Sequence, residues 1–183
     1  MICGEVSMEQ QFGYRRWLIV VNSLALVCTL VMNALANVLP FNGMQTGQIS
    51  DGIVNLFVPA GMTFAIWGVI YVLLVLLVIY QATTLKKRIA DEHPVGSISW
   101  WFSLSCIANA TWIVLWHWQY ILRSLAVMLI LLVSLIVMYL RCRLPNASLG
   151  YRIGIMLPIS VYLGWITVAT IANVTSVLVV YQW

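Results

Sequence analysis

The sequence predicts an all-α integral membrane protein, a bundle of five transmembrane helices, and two observations support that prediction. The first is composition: of 183 residues, 63% are hydrophobic and only 8% are charged, with a mean hydropathy of +0.99, far outside the range of soluble domains. The second is that the apolar residues form five runs, each near the roughly 20 residues that cross a bilayer core about 30 Å thick. The runs cover residues 17–40, 57–82, 98–118, 121–142 and 153–181, and a single membrane domain spanning 1–183 accounts for them.

The positions of the basic residues predict which way the chain crosses the membrane. If the amino terminus is cytoplasmic, eight of the nine lysines and arginines fall on the cytoplasmic side, and Arg123 alone lies outside. Because cytoplasmic connections carry the excess of Lys and Arg, we expect the amino terminus inside and the carboxyl terminus outside. The net charge of +4 comes with no basic arm interleaved with aromatic residues, so we expect no nucleic-acid partner.

Two of the connections between the apolar runs indicate how the helices are arranged. The longest connection on the outer side runs from residue 41 to residue 56 and contains three glycines and one acid, Asp51. Long loops in compact domains are often functional, so this segment is either a lid over the outer end of the bundle or a spacer. The third connection has only a few residues around Gln119 and Tyr120, which predicts a tight antiparallel hairpin of the third and fourth helices.

The sequence offers little for conventional catalysis. All five acidic residues lie outside the apolar runs, whereas ion-coupled carriers usually place a carboxylate at mid-membrane. Paired carboxylates, a Ser-His-Asp set and zinc-ligand spacing are all missing from the sequence. We therefore expect no catalytic residues, no metal site and no required cofactor.

The polar residues inside the runs are amides, hydroxyls and aromatic rings, and they recur at helical spacing. Residues separated by one to three helical turns share a face, and tryptophans that serve only the interface belong at helix ends. We therefore predict a pocket for a planar, largely apolar ligand, with packing of helices by the amides as the alternative. The predicted pocket residues are Asn33 in the first run, Trp67 and Tyr71 in the second, Asn109 and Trp112 in the third, and Tyr162, Trp165, Ala169 and Asn173 in the fifth.

Three of these groups of residues lie in segments that resemble one known family. Trp67 and Tyr71 stand in PAGMTFAIWGVIY, Asn109 and Trp112 stand in ANATWIVLW, and the fifth-run residues stand in VYLGWITVATIAN. These segments are similar to the second, third and fifth helices of the TspO/MBR family, the tryptophan-rich sensory proteins related to the mitochondrial translocator protein. The resemblance is most specific in the fifth helix. Phe64 stands one residue away from the family's aromatic position, so Phe64 is not among the predicted pocket residues.

The resemblance implies a membrane receptor or sensor, commonly a homodimer, that binds a porphyrin, a haem-type ligand or another tetrapyrrole beneath the first loop. Sterol-like ligands are also implied, and light-dependent porphyrin breakdown is reported for some bacterial relatives. We expect an integral location in a bacterial plasma membrane. Two alternatives stay open: a small transporter of apolar solutes, and a non-enzymatic membrane assembly subunit. Carried over by motif, the ligand-binding residues are Trp67, Asn109, Trp112, Trp165, Ala169 and Asn173.

Overall fold

The structure is a computed structural model that describes residues 2–39, 41–53, 57, 61–85 and 94–183, with the backbone alone for residues 2–9, 61 and 62. Five helical stretches in the described part are long and apolar enough to cross a membrane. The all-α membrane bundle predicted from the sequence is therefore confirmed. The helices of the described part are α1 (Ile2–Val38), α2 (Thr46–Gly52), α3 (Ile66–Thr84), α4 (Pro94–His117), α5 (Ile121–Cys142), α6 (Leu149–Tyr151) and α7 (Leu157–Val180).

The five candidate spans begin and end at slightly different residues from the predicted runs. The second begins at Thr63, within a 3-10 turn, Gly61–Ala65, that leads into α3. The third includes residues before 98, since the described part of α4 starts at Pro94, and a proline is tolerated in the first turn of a helix because its missing N–H would be unpaired there. The spans are Gln10–Val38, Thr63–Thr84, Pro94–His117, Ile121–Cys142 and Leu149–Val180.

The five long helices close into a ring in the order α1, α4, α5, α7 and α3, with α3 returning to α1. The helix α4 is the most enclosed, since 50% of its most apolar stretch is buried, against 17% for α3. We call the end of the bundle at Val38 and His117 the loop end, and the end at Thr84 and Cys142 the basic end. The loosely held α3 forms one side of the cavity described below.

Polar side chains join three helices in the half of the bundle nearer the basic end. Ser103 Oγ donates to Asn22 Oδ1 at 2.7 Å, and Asn22 Nδ2 donates to Gln81 Oε1 at 3.2 Å. All three side chains are buried, and they connect α4, α1 and α3. Hydrogen bonds between helices in a membrane contribute about 0.6 kcal/mol each, so Asn22 serves helix packing.

The segment between α1 and α3 folds over the loop end as a lid. It contains a 3-10 turn, Phe41–Gly43, followed by α2. The Thr46 carbonyl accepts a hydrogen bond from Trp116 Nε1 at 3.2 Å, and the Phe41 ring packs edge-on against His117 with the ring centroids 5.7 Å apart. Of the two interpretations that the sequence allowed for this segment, lid and spacer, the described part matches a lid.

A close approach between α3 and the start of the last span depends on one glycine. The helix α6 continues into α7 through a π-helical turn, Arg152–Met156. A Cβ atom on Gly154 would lie 2.5 Å from Cδ2 of Tyr80, closer than side chains pack. The Tyr80 ring in turn meets the buried Tyr151 ring edge-on at 6.4 Å. Gly154 therefore allows α3 to contact the π-helical turn.

We expect Gly154→Ala to lower the free energy of unfolding by about 1–3 kcal/mol, because the added methyl group forces Tyr80 or α3 to move. The matched control is Gly164→Ala on α7, where a Cβ atom would meet nothing within 4 Å. That variant should be neutral or slightly stabilising, since alanine favours helices more than glycine does. Thermal unfolding in detergent, followed by circular dichroism, compares the two. Equal Tm values for the two variants would contradict the role given to Gly154.

Candidate functional site

A cavity of about 490 Å³ lies between the lid, α1 and α3. Its size falls in the range of small-molecule sites, about 300–1,000 Å³. The lid and α1 supply a mostly polar wall, whereas the start of α3 supplies an aromatic one. The polar wall consists of Asn33, Asn37, Gln45, Thr46, Gly47, Gln48 and Asp51, and the aromatic and apolar wall of Phe64, Ala65, Trp67, Tyr71 and Ile113.

Four aromatic rings form a stacked column from the cavity wall to the underside of the lid. The Tyr71 and Trp67 ring centroids are 5.6 Å apart, with 24° between the ring planes. The Trp67 and Trp112 centroids are 6.3 Å apart at 29°, and the Trp112 and Trp116 centroids are 5.8 Å apart at 22°. In α3 (Trp67 and Tyr71) and in α4 (Trp112 and Trp116) the two rings stand four residues apart, on one face of the helix. The column thus joins α3 to α4 and meets the lid where Trp116 binds Thr46.

Trp67 lies at the centre of the cluster because rings from α7 meet it edge-on. The centroid of Tyr162 lies 6.1 Å from that of Trp67 at 69°, and the centroid of Trp165 lies 6.0 Å away at 83°. Phe64, from the 3-10 turn before α3, meets Trp165 at 6.2 Å and 79°. Stacked and edge-to-face arrangements are the two favoured geometries of aromatic pairs. The orientation of Trp67 is therefore set by rings from α3, α4 and α7.

A chain of hydrogen bonds holds the wall formed by α1. Asn33 Nδ2 donates to Asn109 Oδ1 at 2.8 Å, and Asn109 Nδ2 donates to the Tyr162 hydroxyl at 3.0 Å. The side chain of Asn109 is fully buried, and Asn33 and Tyr162 are nearly so. Each residue comes from a different helix, α1, α4 and α7. The chain therefore fixes Asn33 at the cavity and Tyr162 beside Trp67.

A second polar set lies behind Trp112. Trp112 Nε1 donates to Asn173 Oδ1 at 3.2 Å, and the same oxygen accepts from Ser124 Oγ at 3.3 Å. Asn173 Nδ2 donates to the Ala169 carbonyl one turn earlier in α7 at 2.9 Å. Both the oxygen and the nitrogen of the Asn173 amide are thus hydrogen-bonded. Its effect on the cavity is to position the Trp112 ring against Trp67.

One comparison with known proteins identifies the family. A family model described as TSPO-like protein matches residues 18–183, nearly the whole chain. The chain belongs to the TSPO-like protein family. Neither the curated proteins nor the solved structures gave a match. Membership confirms the resemblance to the TspO/MBR family, and with the five apolar spans it makes this an integral membrane protein in contact with the lipid bilayer.

In this TSPO-like protein the nine predicted pocket residues divide into two groups. Asn33, Trp67 and Tyr71 line the cavity itself. The other six are buried behind its wall and hold the lining residues in place through the ring contacts and hydrogen bonds given above. The structure therefore brings the nine residues into one cluster, although most of them support the wall. The buried group is Asn109, Trp112, Tyr162, Trp165, Ala169 and Asn173.

The predicted pocket residues did not include Phe64 or any residue of the lid, although the sequence allowed a lid over this end of the bundle. Phe64 lines the cavity although it stands one residue out of register with the family's aromatic position. In the lid, Gln48 and Asp51 both line the cavity, and a spacing of three residues puts them on one face of α2. That spacing, together with the single acid of the segment, was the signal available. Which face of α2 turns to the cavity depends on the packing of the lid.

Proposed function

We propose that this TSPO-like protein is a membrane receptor or sensor that binds a planar, largely apolar ligand, a porphyrin or another tetrapyrrole, in the cavity under the lid. The observation that supports the proposal is the aromatic wall formed by Phe64, Trp67 and Tyr71. A conjugated macrocycle can pack against such rings face to face or edge to face. A sterol-like ligand would gain only the apolar contact, so it is the weaker candidate.

Polar groups around the aromatic wall would orient the ligand. Asn37, Gln45 and Gln48 contribute three amides to the lining of the cavity. Trp165 Nε1 is buried and has no hydrogen-bond partner in the described part of the chain, and its ring contacts both Phe64 and Trp67. Apolar walls with a few placed polar groups are typical of small-molecule sites. The macrocycle would therefore pack against the Trp67 and Tyr71 rings with its polar edge toward the lid.

A titration of the purified protein with protoporphyrin, in one detergent throughout, tests the proposal. We expect a saturable shift of the porphyrin absorbance band together with quenching of tryptophan fluorescence, with a Kd of about 1 μM or below, equivalent to roughly 8 kcal/mol of binding free energy. Circular dichroism on the same sample reports that the helices are intact. A response that rises linearly without saturation, in a folded sample, indicates partition into micelles and contradicts the proposal.

The charge of the cavity predicts a preference among porphyrins. Asp51 lines the cavity and none of the described lysines or arginines does, so the propionate groups of protoporphyrin would meet a like charge. Asp51→Asn should therefore tighten protoporphyrin binding by about fivefold, the equivalent of one solvent-screened charge pair at about 1 kcal/mol. Protoporphyrin dimethyl ester, which carries no propionate charge, is the matched control, and its affinity should not change. An equal gain for both compounds would show that the charge of Asp51 is not the cause.

A further inference from the structure

A second cavity, of about 540 Å³, lies at the basic end, far from the lid. It is a groove between the end of α5 and the π-helical turn before α7. Two arginines, Arg143 and Arg152, line it from the two elements. The remaining lining residues are Leu140, Leu144, Pro145 and Met156. The groove thus combines two cations with an apolar floor.

Among the described residues, none that lines the groove compensates its positive charge. Arg143 lies over the Tyr139 ring at 6.0 Å from its centroid, and a guanidinium carries five N–H donors with which it can bind an anion. Asp51, the single acidic residue whose side chain the structure describes, lies at the loop end. The groove is therefore electrostatically suited to an anion.

The connection that carries the two arginines is held in place by its own hydrogen bonds. The Tyr151 hydroxyl donates to the carbonyl of Cys142 at 3.3 Å, and Tyr151 N donates to Ser148 Oγ at 3.3 Å. The first bond ties the residue before Arg152 to the residue before Arg143. Because Tyr151 is buried, the backbone positions of the two arginines are set by the fold.

The position of the groove in the membrane indicates which kind of anion it would bind. Arg143 directly follows the span that ends at Cys142, and Arg152 lies near the start of the span Leu149–Val180. This is the level at which phospholipid headgroups meet the hydrocarbon core. Arginine binds phosphate oxygens in a two-pronged geometry, and basic pockets between membrane helices on the cytoplasmic side bind anionic headgroups. The positive-inside bias predicts that this end faces the cytoplasm.

We propose that this groove is a binding site for an anionic phospholipid. The guanidinium groups of Arg143 and Arg152 hold the headgroup phosphate, and the acyl chain lies along Leu140 and Met156. The apolar floor favours a lipid over a free phosphate ion, because an ion would leave Leu140, Leu144 and Met156 without a ligand contact. The site is separate from the proposed porphyrin cavity and does not depend on it.

Native mass spectrometry tests the site with the full chain purified from vesicles of equal parts phosphatidylglycerol and phosphatidylcholine. We expect wild-type protein to retain phosphatidylglycerol in preference to phosphatidylcholine. Arg143→Gln and Arg152→Gln should each lower that retention by about tenfold, the effect of losing a charge-assisted hydrogen bond to the headgroup phosphate. Both side chains are exposed, so neither substitution disturbs the core. Inorganic phosphate at millimolar concentration should leave the bound lipid in place.

The matched control is Arg141→Gln, which removes the same charge from the same end of α5 but does not line the groove. Its retention of phosphatidylglycerol should equal that of wild type. An equal loss in the Arg141 variant would overturn the proposal, because it would show attraction to the basic end in general. Displacement of the lipid by inorganic phosphate would also overturn it, since the groove would then be a site for free anions. So would equal retention of the two lipids by wild-type protein.

Discussion

Trp67→Leu should weaken porphyrin binding by about thirtyfold, the effect expected of a tryptophan at the centre of a binding surface, about 2 kcal/mol. The Trp67 ring lines the cavity and contacts the rings of Tyr71, Trp112, Tyr162 and Trp165. Leucine keeps apolar bulk but removes an aromatic ring against which the macrocycle would pack. It also frees the neighbouring rings to move, so the wall loses its fixed orientation.

The readout for this variant is the absorbance of the bound porphyrin, because removing a tryptophan changes the protein fluorescence by itself. Trp100→Leu is the matched control. Trp100 is 45% exposed, and its ring meets Trp17 at 4.7 Å on the half of the bundle nearer the basic end. That variant should bind porphyrin as wild type does. Wild-type affinity in a folded Trp67→Leu protein would exclude the cavity as the porphyrin site.

The fold could be predicted because the bilayer imposes the same physical requirement on every membrane-spanning segment. Backbone groups in hydrocarbon must be hydrogen-bonded within the chain, so an apolar run of sufficient length becomes a helix. Hydropathy alone does not show local features near the helix ends, such as the 3-10 turn Gly61–Ala65 and the proline at position 94. Orientation, the homodimer and the bacterial plasma membrane stay predictions, because each depends on surroundings beyond one chain.

The candidate site could be predicted in part, because helical spacing sets which residues share a face but not what that face meets. Trp67 and Trp112 were placed on inward faces, and their rings stack in the structure. Spacing could not show that Trp67 lines the cavity whereas Trp112, 3% exposed, lies behind it. It also could not show that α2 folds back over the cavity, since that depends on contacts such as Trp116 with Thr46.

Asn109→Leu should lower the free energy of unfolding by about 1–2 kcal/mol and weaken porphyrin binding as well. Leucine is similar in size to asparagine, so the substitution removes hydrogen bonds and little volume. Two bonds between helices are lost, to Asn33 and to Tyr162, at about 0.6 kcal/mol each. Asn33 Nδ2 keeps its bond to the Thr29 carbonyl at 2.9 Å, so the loss stays below that of two fully unpaired buried groups, about 1–3 kcal/mol each. Circular dichroism during unfolding in detergent measures the stability.

A double-mutant cycle with Tyr162→Phe separates the hydrogen bond from other effects of the substitution. If the Tyr162 hydroxyl is stabilised mainly by Asn109, Tyr162→Phe should have almost no effect in the Asn109→Leu background, with a coupling of about 0.5–1 kcal/mol. Ser134→Ala is the control partner, because the buried Ser134 hydroxyl donates to Ile130 O at 2.7 Å within its own helix. Its effect should add to that of Asn109→Leu. Additive effects of Asn109→Leu and Tyr162→Phe would contradict the chain of hydrogen bonds from Asn33 through Asn109 to Tyr162.

The same hydrogen bonds hold Asn33 at the cavity. Porphyrin should therefore raise the Tm of Asn109→Leu less than that of wild type.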